Sequence, residues 1–207
     1  GNVDLVGFEH GSAIAVVVLS VAVTVIGFFN ARRVAKVVEV DLPILNLPQG
    51  LQGFTFVQLS DVHIGPTIKR GYLERIVRRV NALNADAVVI TGDLVDGHVD
   101  RYKNHLAPLA DLRSRHGTFC VTGNHEYYHG VHDWLQEWRQ LGMRVLINDS
   151  ALLQHEGEPL LIAGITDFNA HHFDPTHRSD PVMAMQARQA AVQILLAHQP
   201  RSVFADR

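Results

Sequence analysis

Ala87-Val88-Val89-Ile90-Thr91-Gly92-Asp93-Leu94-Val95-Asp96-Gly97 is the stretch that decides the fold. A short apolar run that stops at glycine reads as a buried strand. Its carboxylates then stand where the strand ends. The same grammar recurs on either side. Phe54 to Leu59 runs into Ser60-Asp61-Val62-His63-Ile64-Gly65. Thr118 to Thr122 runs into Gly123-Asn124-His125-Glu126, and Val192 to Leu196 into Ala197-His198-Gln199-Pro200. Val145 to Ile147, Leu152 to Gln154 and Leu160 to Ala163 add shorter strand-like runs. Between them, Lys69 to Asn84 carries Leu73, Ile76, Val77, Val80 and Leu83 at helical spacing. Val131 to Leu141 does the same with Trp134, Leu135, Trp138 and Leu141, which reads as a core face. Tyr102 to Arg113 and Pro181 to Ala190 read as further helices. Strands alternating with helices predict a layered α/β fold, a sheet packed by helices.

Composition narrows the function classes. Of 207 residues, 47% are apolar and 19% charged, which excludes a long disordered chain. The net charge of −3 offers no global basic field, so no nucleic-acid partner is expected. The single cysteine, Cys120, excludes an internal disulfide framework and any multi-cysteine zinc module, and its strand setting reads as core. Thirteen histidines invite a search for metal ligands.

The first residues differ from the rest. Gly11 to Ala31 contains no ionisable side chain. At about 1.5 Å per residue, about 19 helical residues cross the hydrocarbon layer. Arg32, Arg33 and Lys36 follow directly, so the positive-inside rule places the C-terminal side in the cytoplasm. Basic residues after the apolar run, not before it, disfavour a cleaved signal peptide. The expected organisation is a membrane segment over 1–36 (helix about 11–31), a juxtamembrane linker and strand over 37–53, and an α/β domain over 54–207. Both ends read as cut from a longer protein.

In open α/β sheets, ligands gather outside the C-terminal ends of the strands. Taken singly, an aspartate there is usually a cap or turn residue, and a lone histidine a hydrogen-bonded one. Two Asp-and-His clusters, a Gly-Asn-His and a late histidine, all at strand ends, are not what independent capping would select. In order, Asp61-Val62-His63, Gly92-Asp93-Leu94-Val95-Asp96, Gly123-Asn124-His125-Glu126 and His198 resemble the signature blocks of the calcineurin-like metallophosphoesterases. Leu59 to Gly65 and the apolar N-terminal run resemble the membrane-associated bacterial branch of that family.

The resemblance implies a metallophosphoesterase-type layered fold and hydrolysis of a phosphoric ester, a phosphodiester in particular, at a bacterial inner membrane. It implies two divalent cations, Mn, Fe or Zn, which suit mixed oxygen and nitrogen donors. Asp93 would bridge them, with Asp61 and His63 on the first and Asn124 and His198 on the second. His125 would meet the leaving-group oxygen as proton donor, oriented by Asp96. Gly164-Ile165-Thr166-Asp167 resembles a loop at the substrate rim, so Asp167 and Tyr127 are candidate rim residues. The family also has a Gly-His-x-His block beyond the position of His198. This chain stops at Arg207 without one, so it is expected to carry part of each metal shell and to be poorly active alone.

Two other readings compete. A degenerate member of the same family would act as a membrane-bound binding module. His125-Glu126-Tyr127-Tyr128-His129 also spells the zinc-protease pattern H-E-x-x-H, which requires both histidines on one helical face and a free glutamate. Asp93 to Asp100 lacks carboxylates at alternate positions, so an EF-hand fails.

Overall fold

The ion-free stretch lies in one helix, α1 (Leu5–Ala31), in a computed structural model that describes residues 5–186 and 190–204. The chain divides into two compact units, Gly1–Val37 and Val38–Arg207. Within the first, Gly11–Ala31 is long and apolar enough to cross a membrane, and none of it is buried. Ile14 and Ile26 are 65% and 68% exposed, which a soluble core helix would not tolerate.

The strand expected within 37–53 is not formed. The stretch holds only a short 3-10 turn, Gln49–Leu51, whose Leu51 is buried between sheets. Pro43 and Pro48 lack backbone donors, and Val38, Val40 and Leu42 stand exposed with no strand beside them.

The second unit opens with β1 (Phe56–Leu59), α2 (Arg70–Asn81), β2 (Ala87–Thr91), α3 (Val99–Leu106) and β3 (Thr118–Val121). It continues through α4 (Asn124–Tyr128), α5 (Val131–Gln140), β4 (Arg144–Val145), β5 (Asp149–His155), β6 (Glu158–Gly164), α6 (Pro181–Met185) and β7 (Val192–Leu196). The helix expected over Tyr102 to Arg113 begins earlier as α3 and tightens to a 3-10 turn at Ala107–Asp111, where Pro108 removes a backbone donor. The helix expected to reach Ala190 is seen as α6; residues 187–189 lie outside the described residues.

The layered α/β fold is as expected, but its strands form two sheets among the described residues where a single sheet is expected. The first is parallel, in the order β1-β2-β3-β4. The second is β5-β6-β7, with β5 and β6 antiparallel and β6 and β7 parallel. A two-residue turn joins β5 to β6, with Glu156 at φ 49° and Gly157 at φ 86°, the geometry that matches strand twist.

Side-chain alternation explains the layering. In β2, Ala87 and Val89 join Phe119, Val121, Ala151, Leu153, Leu160 and Ile162 in a core between the sheets. Ile90 points the other way, onto Leu73, Val77, Leu106, Trp134 and Trp138 beneath the helices. Ala184 of α6 packs with Ala163 and Ile165. Every residue of β2 is buried, as a central parallel strand requires.

Candidate metal centre

The site begins where β1 and β2 stop. The parallel pairing of Leu59 with Ile90 continues into the loops. Asp61 N–H donates to Gly92 O (3.2 Å), His63 N–H to Asp93 O (3.1 Å), Ile64 N–H to Leu94 O (2.9 Å), and Asp96 N–H to Ile64 O (2.8 Å). This ladder carries Asp61 and His63 alongside Asp93. Asp61, His63 and Asp93 adopt φ of 56°, 50° and 51°. Asp and His are among the few non-glycine residues that enter this left-handed region with any frequency, at about 1–3 kcal/mol each. Strained residues cluster at functional sites, and here all three are candidate ligands.

The third loop is pressed against the second. Gly92, at φ +90°, leaves room for the Gly123 backbone; a Cβ there would lie 2.4 Å from Gly123 N. Asp93 Oδ1 accepts the backbone N–H of His125 at 3.0 Å. Asn124 opens α4 directly after Gly123. From the second sheet, His198 follows β7 and donates Nδ1–H to Thr91 O at 2.9 Å. A carbonyl can only accept, so the tautomer is set and Nε2 faces Asp93 Oδ2 at 3.4 Å.

Asp93 is therefore the hub. Its Oδ2 lies 3.4 Å from His198 Nε2 and 3.7 Å from His63 Nε2. Two groups of donor atoms, each close enough together to hold one cation, share it: Asp61, Asp93 and His198, and His63, Asp93 and His125. Carboxylate oxygen and imidazole nitrogen fit Mn, Fe or Zn. Asp61 Oδ1 also lies 3.9 Å from His63 Nε2, the two residues that the sequence reading puts on one cation. The rings of His63 and His125 meet edge to face at 4.5 Å.

Electrostatics follow from the contacts. Burial raises the Asp93 pKa, but hydrogen bonds from His198 and the His125 amide outweigh it, and the net shift is downward. The Asp93 carboxylate pushes His198 up to about 9 against the opposing effect of burial. A divalent cation would compete with that proton.

His125 Nδ1 lies 3.3 Å from Asp96 Oδ1, and His129 Nε2 reaches the same oxygen at 3.2 Å. The zinc-protease reading fails on this geometry. α4 ends at Tyr128, and Glu126 is fully buried among backbone donors. Its Oε1 accepts from Leu94 N (2.8 Å) and Val95 N (3.3 Å), and its Oε2 from Asp93 N (3.0 Å) and Gly123 N (2.7 Å). Burial raises its pKa to about 7 despite these bonds. Glu126 is the residue that sequence reasoning missed: it ties the second loop to the third. Its place three residues after Gly123 was the available signal.

The two expected rim residues are also corrected. Asp167 is 1% exposed, and its carboxylate accepts from Asn169 N (2.9 Å) in its own loop and from Gln199 Nε2 (2.7 Å) beside His198, so it ties two loops together. Tyr127 is 6% exposed, with its hydroxyl 2.9 Å from His177 Nδ1. The exposed aromatic beside His125 is its neighbour Tyr128, with ring centroids 5.3 Å apart.

Residues 54–206 match the family described as calcineurin-like phosphoesterase. A transmembrane protein with metallophosphoesterase domain from Danio rerio is 38% identical over 191 residues, covering 89% of this chain and 44% of that protein. An uncharacterized metallophosphoesterase of Campylobacter jejuni is 32% identical over 192 residues, covering 92% and 50%. Another, from Helicobacter pylori strain J99, is 35% identical over 181 residues, covering 86% and 46%. The chain thus spans about half the length of the curated relatives it matches.

Proposed function

Because the chain belongs to the calcineurin-like phosphoesterase family, we propose that it serves a membrane-anchored hydrolase of phosphoric esters, phosphodiesters foremost, working with two divalent cations. The observation that carries this reading is Asp93 Oδ2, faced by imidazole nitrogens from two different sheets' loops. A carboxylate shared between two donor groups is what a bimetal site needs. Mn, Fe or Zn bound there would polarise the phosphoryl oxygens and activate water.

The chain's own residues do the rest. Asp61, His63, Asp93, Asn124 and His198 would hold the cations. Glu126 fixes the loop backbones, so little reorganisation is needed when anionic substrate arrives. Asp96 holds His125 at Nδ1 and so orients the ring, leaving Nε2 to give a proton to the departing ester oxygen. Tyr128 offers an aromatic surface beside that histidine.

One apolar helix provides the anchor. Arg32, Arg33 and Lys36 directly after it favour a domain on the cytoplasmic face, in a bacterium the inner membrane.

The test is hydrolysis of generic mono- and diesters by the full-length domain with Mn²⁺, with and without chelator. Metal-dependent turnover, faster on diesters and abolished by Asp93→Asn, is expected. Turnover indifferent to chelator overturns the reading. Bound metal without turnover points to a binding module.

A further inference from the structure

Outside the Asp93 centre, the described residues contain a second mixed set of donors. We propose that His132, Asp174 and His177 form a separate binding site for a zinc-type divalent cation. His132 is the second residue of α5, Asp174 caps the short turn Pro175–His177, and His177 is its last residue. The three share no residue with the groups around Asp93, and their donor atoms lie within 4.8 Å of one another.

The carboxylate is aimed. Asp174 Oδ1 accepts from Thr176 N (2.9 Å) and Thr176 Oγ1 (2.7 Å), which fixes its orientation. Oδ2 is left to the histidines, with His132 Nε2 at 2.9 Å and His177 Nε2 at 3.9 Å. Zinc bonds of about 2.0–2.1 Å in a tetrahedron put donor atoms about 3.3 Å apart. The two observed separations straddle that value, so small side-chain rotations would satisfy it.

The histidine is aimed as well. His177 Nδ1 lies 2.9 Å from the Tyr127 hydroxyl, itself 3.3 Å from Thr122 Oγ1. In the tautomer that a cation would select, Nδ1–H donates to the phenol oxygen and Nε2 keeps its lone pair toward Asp174. Metal-ligating histidines are oriented in this way through their second nitrogen. The His177 side chain is 11% exposed and that of Asp174 17%, whereas that of His132 is 69% exposed, which gives a cation a way in. Two imidazoles and one carboxylate select zinc over magnesium or calcium. Bound there, zinc would pin the 174–177 turn to the start of α5, behind Tyr127 and near Tyr128.

The experiment measures zinc per chain by equilibrium dialysis and metal analysis on the full chain. Wild type, Asp93→Asn, His132→Ala and the double variant are compared, together with thermal midpoints with and without zinc. His132→Ala should remove one zinc per chain with either residue at position 93, and should leave the zinc-free midpoint unchanged. The zinc-dependent rise in midpoint of Asp93→Asn should vanish in the double variant. Asp174→Asn should weaken the same site at least tenfold. Equal stoichiometry with and without His132 overturns the proposal and leaves the Asp93 centre untouched. If His132→Ala loses one zinc but Asp93→Asn loses none, this site stands and the Asp93 centre falls.

Discussion

Gly123 lies against Asp93 so closely that a Cβ built on it would sit 2.2 Å from Asp93 Oδ1 and 2.6 Å from Asp93 N. The contact is between the third loop's backbone and the hub carboxylate of the second. It leaves no space for any side chain, and neither partner can yield without moving a strand end.

Gly123→Ala should therefore displace the Asp93 carboxylate while the distant core stays packed. The expected outcome is at least tenfold weaker metal binding by titration, with a cooperative denaturation curve retained. Unchanged metal affinity would show that Asp93 is not the hub.

Glu126→Ala would leave four buried backbone donors without an acceptor. Each orphaned donor costs about 1–3 kcal/mol, and even partial entry of water should leave a total loss of about 3 kcal/mol or more in urea denaturation. Glu126→Gln should not rescue it, because one end of the amide would present N–H groups to N–H groups. Rescue by glutamine would show that size, not acceptor count, matters here.

These two residues mark where sequence reading reaches its limit. The apolar runs of β2 and β7 and the polar residues at their ends were legible, because burial and alternation are local signals. The second sheet was not. Its hairpin turns on Glu156-Gly157, a pair without the usual Asn-Gly or Asp-Gly mark, and β6 reads alike whether it joins one sheet or another. The ligand-type residues were visible as a set, but the edge-to-face contact of His63 with His125 across two loops carries no local sequence signal. Asp167 and Tyr127 were rim candidates by the resemblance alone, and they are held inside by hydrogen bonds to residues far along the chain. Pro43 and Pro48 were in plain view, and their missing donors argued against a strand that was still expected.

His125→Asn should lower kcat by about 10²–10⁴ if its proton reaches the leaving group. Metal content should stay at the wild-type value, since proton delivery and not binding is removed. Asp96→Asn should lower kcat less than His125→Asn, because Asp96 orients the ring and does not itself meet the substrate. Loss of metal in step with activity in His125→Asn would place the imidazole in the His63 and Asp93 group as a ligand instead.

Cys120 is fully buried in β3, and burial pushes its thiol far above the ordinary range. Native protein should resist a thiol reagent at pH 8, while unfolded protein should react in seconds. The single cysteine makes labelling a direct reading of opening of the central sheet. Rapid labelling without denaturant would contradict the placement of β3.

The His198–Asp93 contact makes a pH prediction whose sign can be worked through. His198 has its pKa raised from 6.5 to about 9, chiefly by hydrogen bonding to Asp93 and against burial. A histidine raised on folding binds its proton more tightly in the native state, so its contribution is complete below pH 6.5 and is lost as pH climbs through about 9. In chelator, the stability gap between wild type and His198→Asn should be widest below pH 6.5 and narrow steadily toward pH 9. Added Mn²⁺ should reverse the trend. A cation takes the Nε2 lone pair that the proton would otherwise hold, so metal-linked stability should grow with pH. A gap independent of pH in chelator would mean that His198 and Asp93 do not meet in solution.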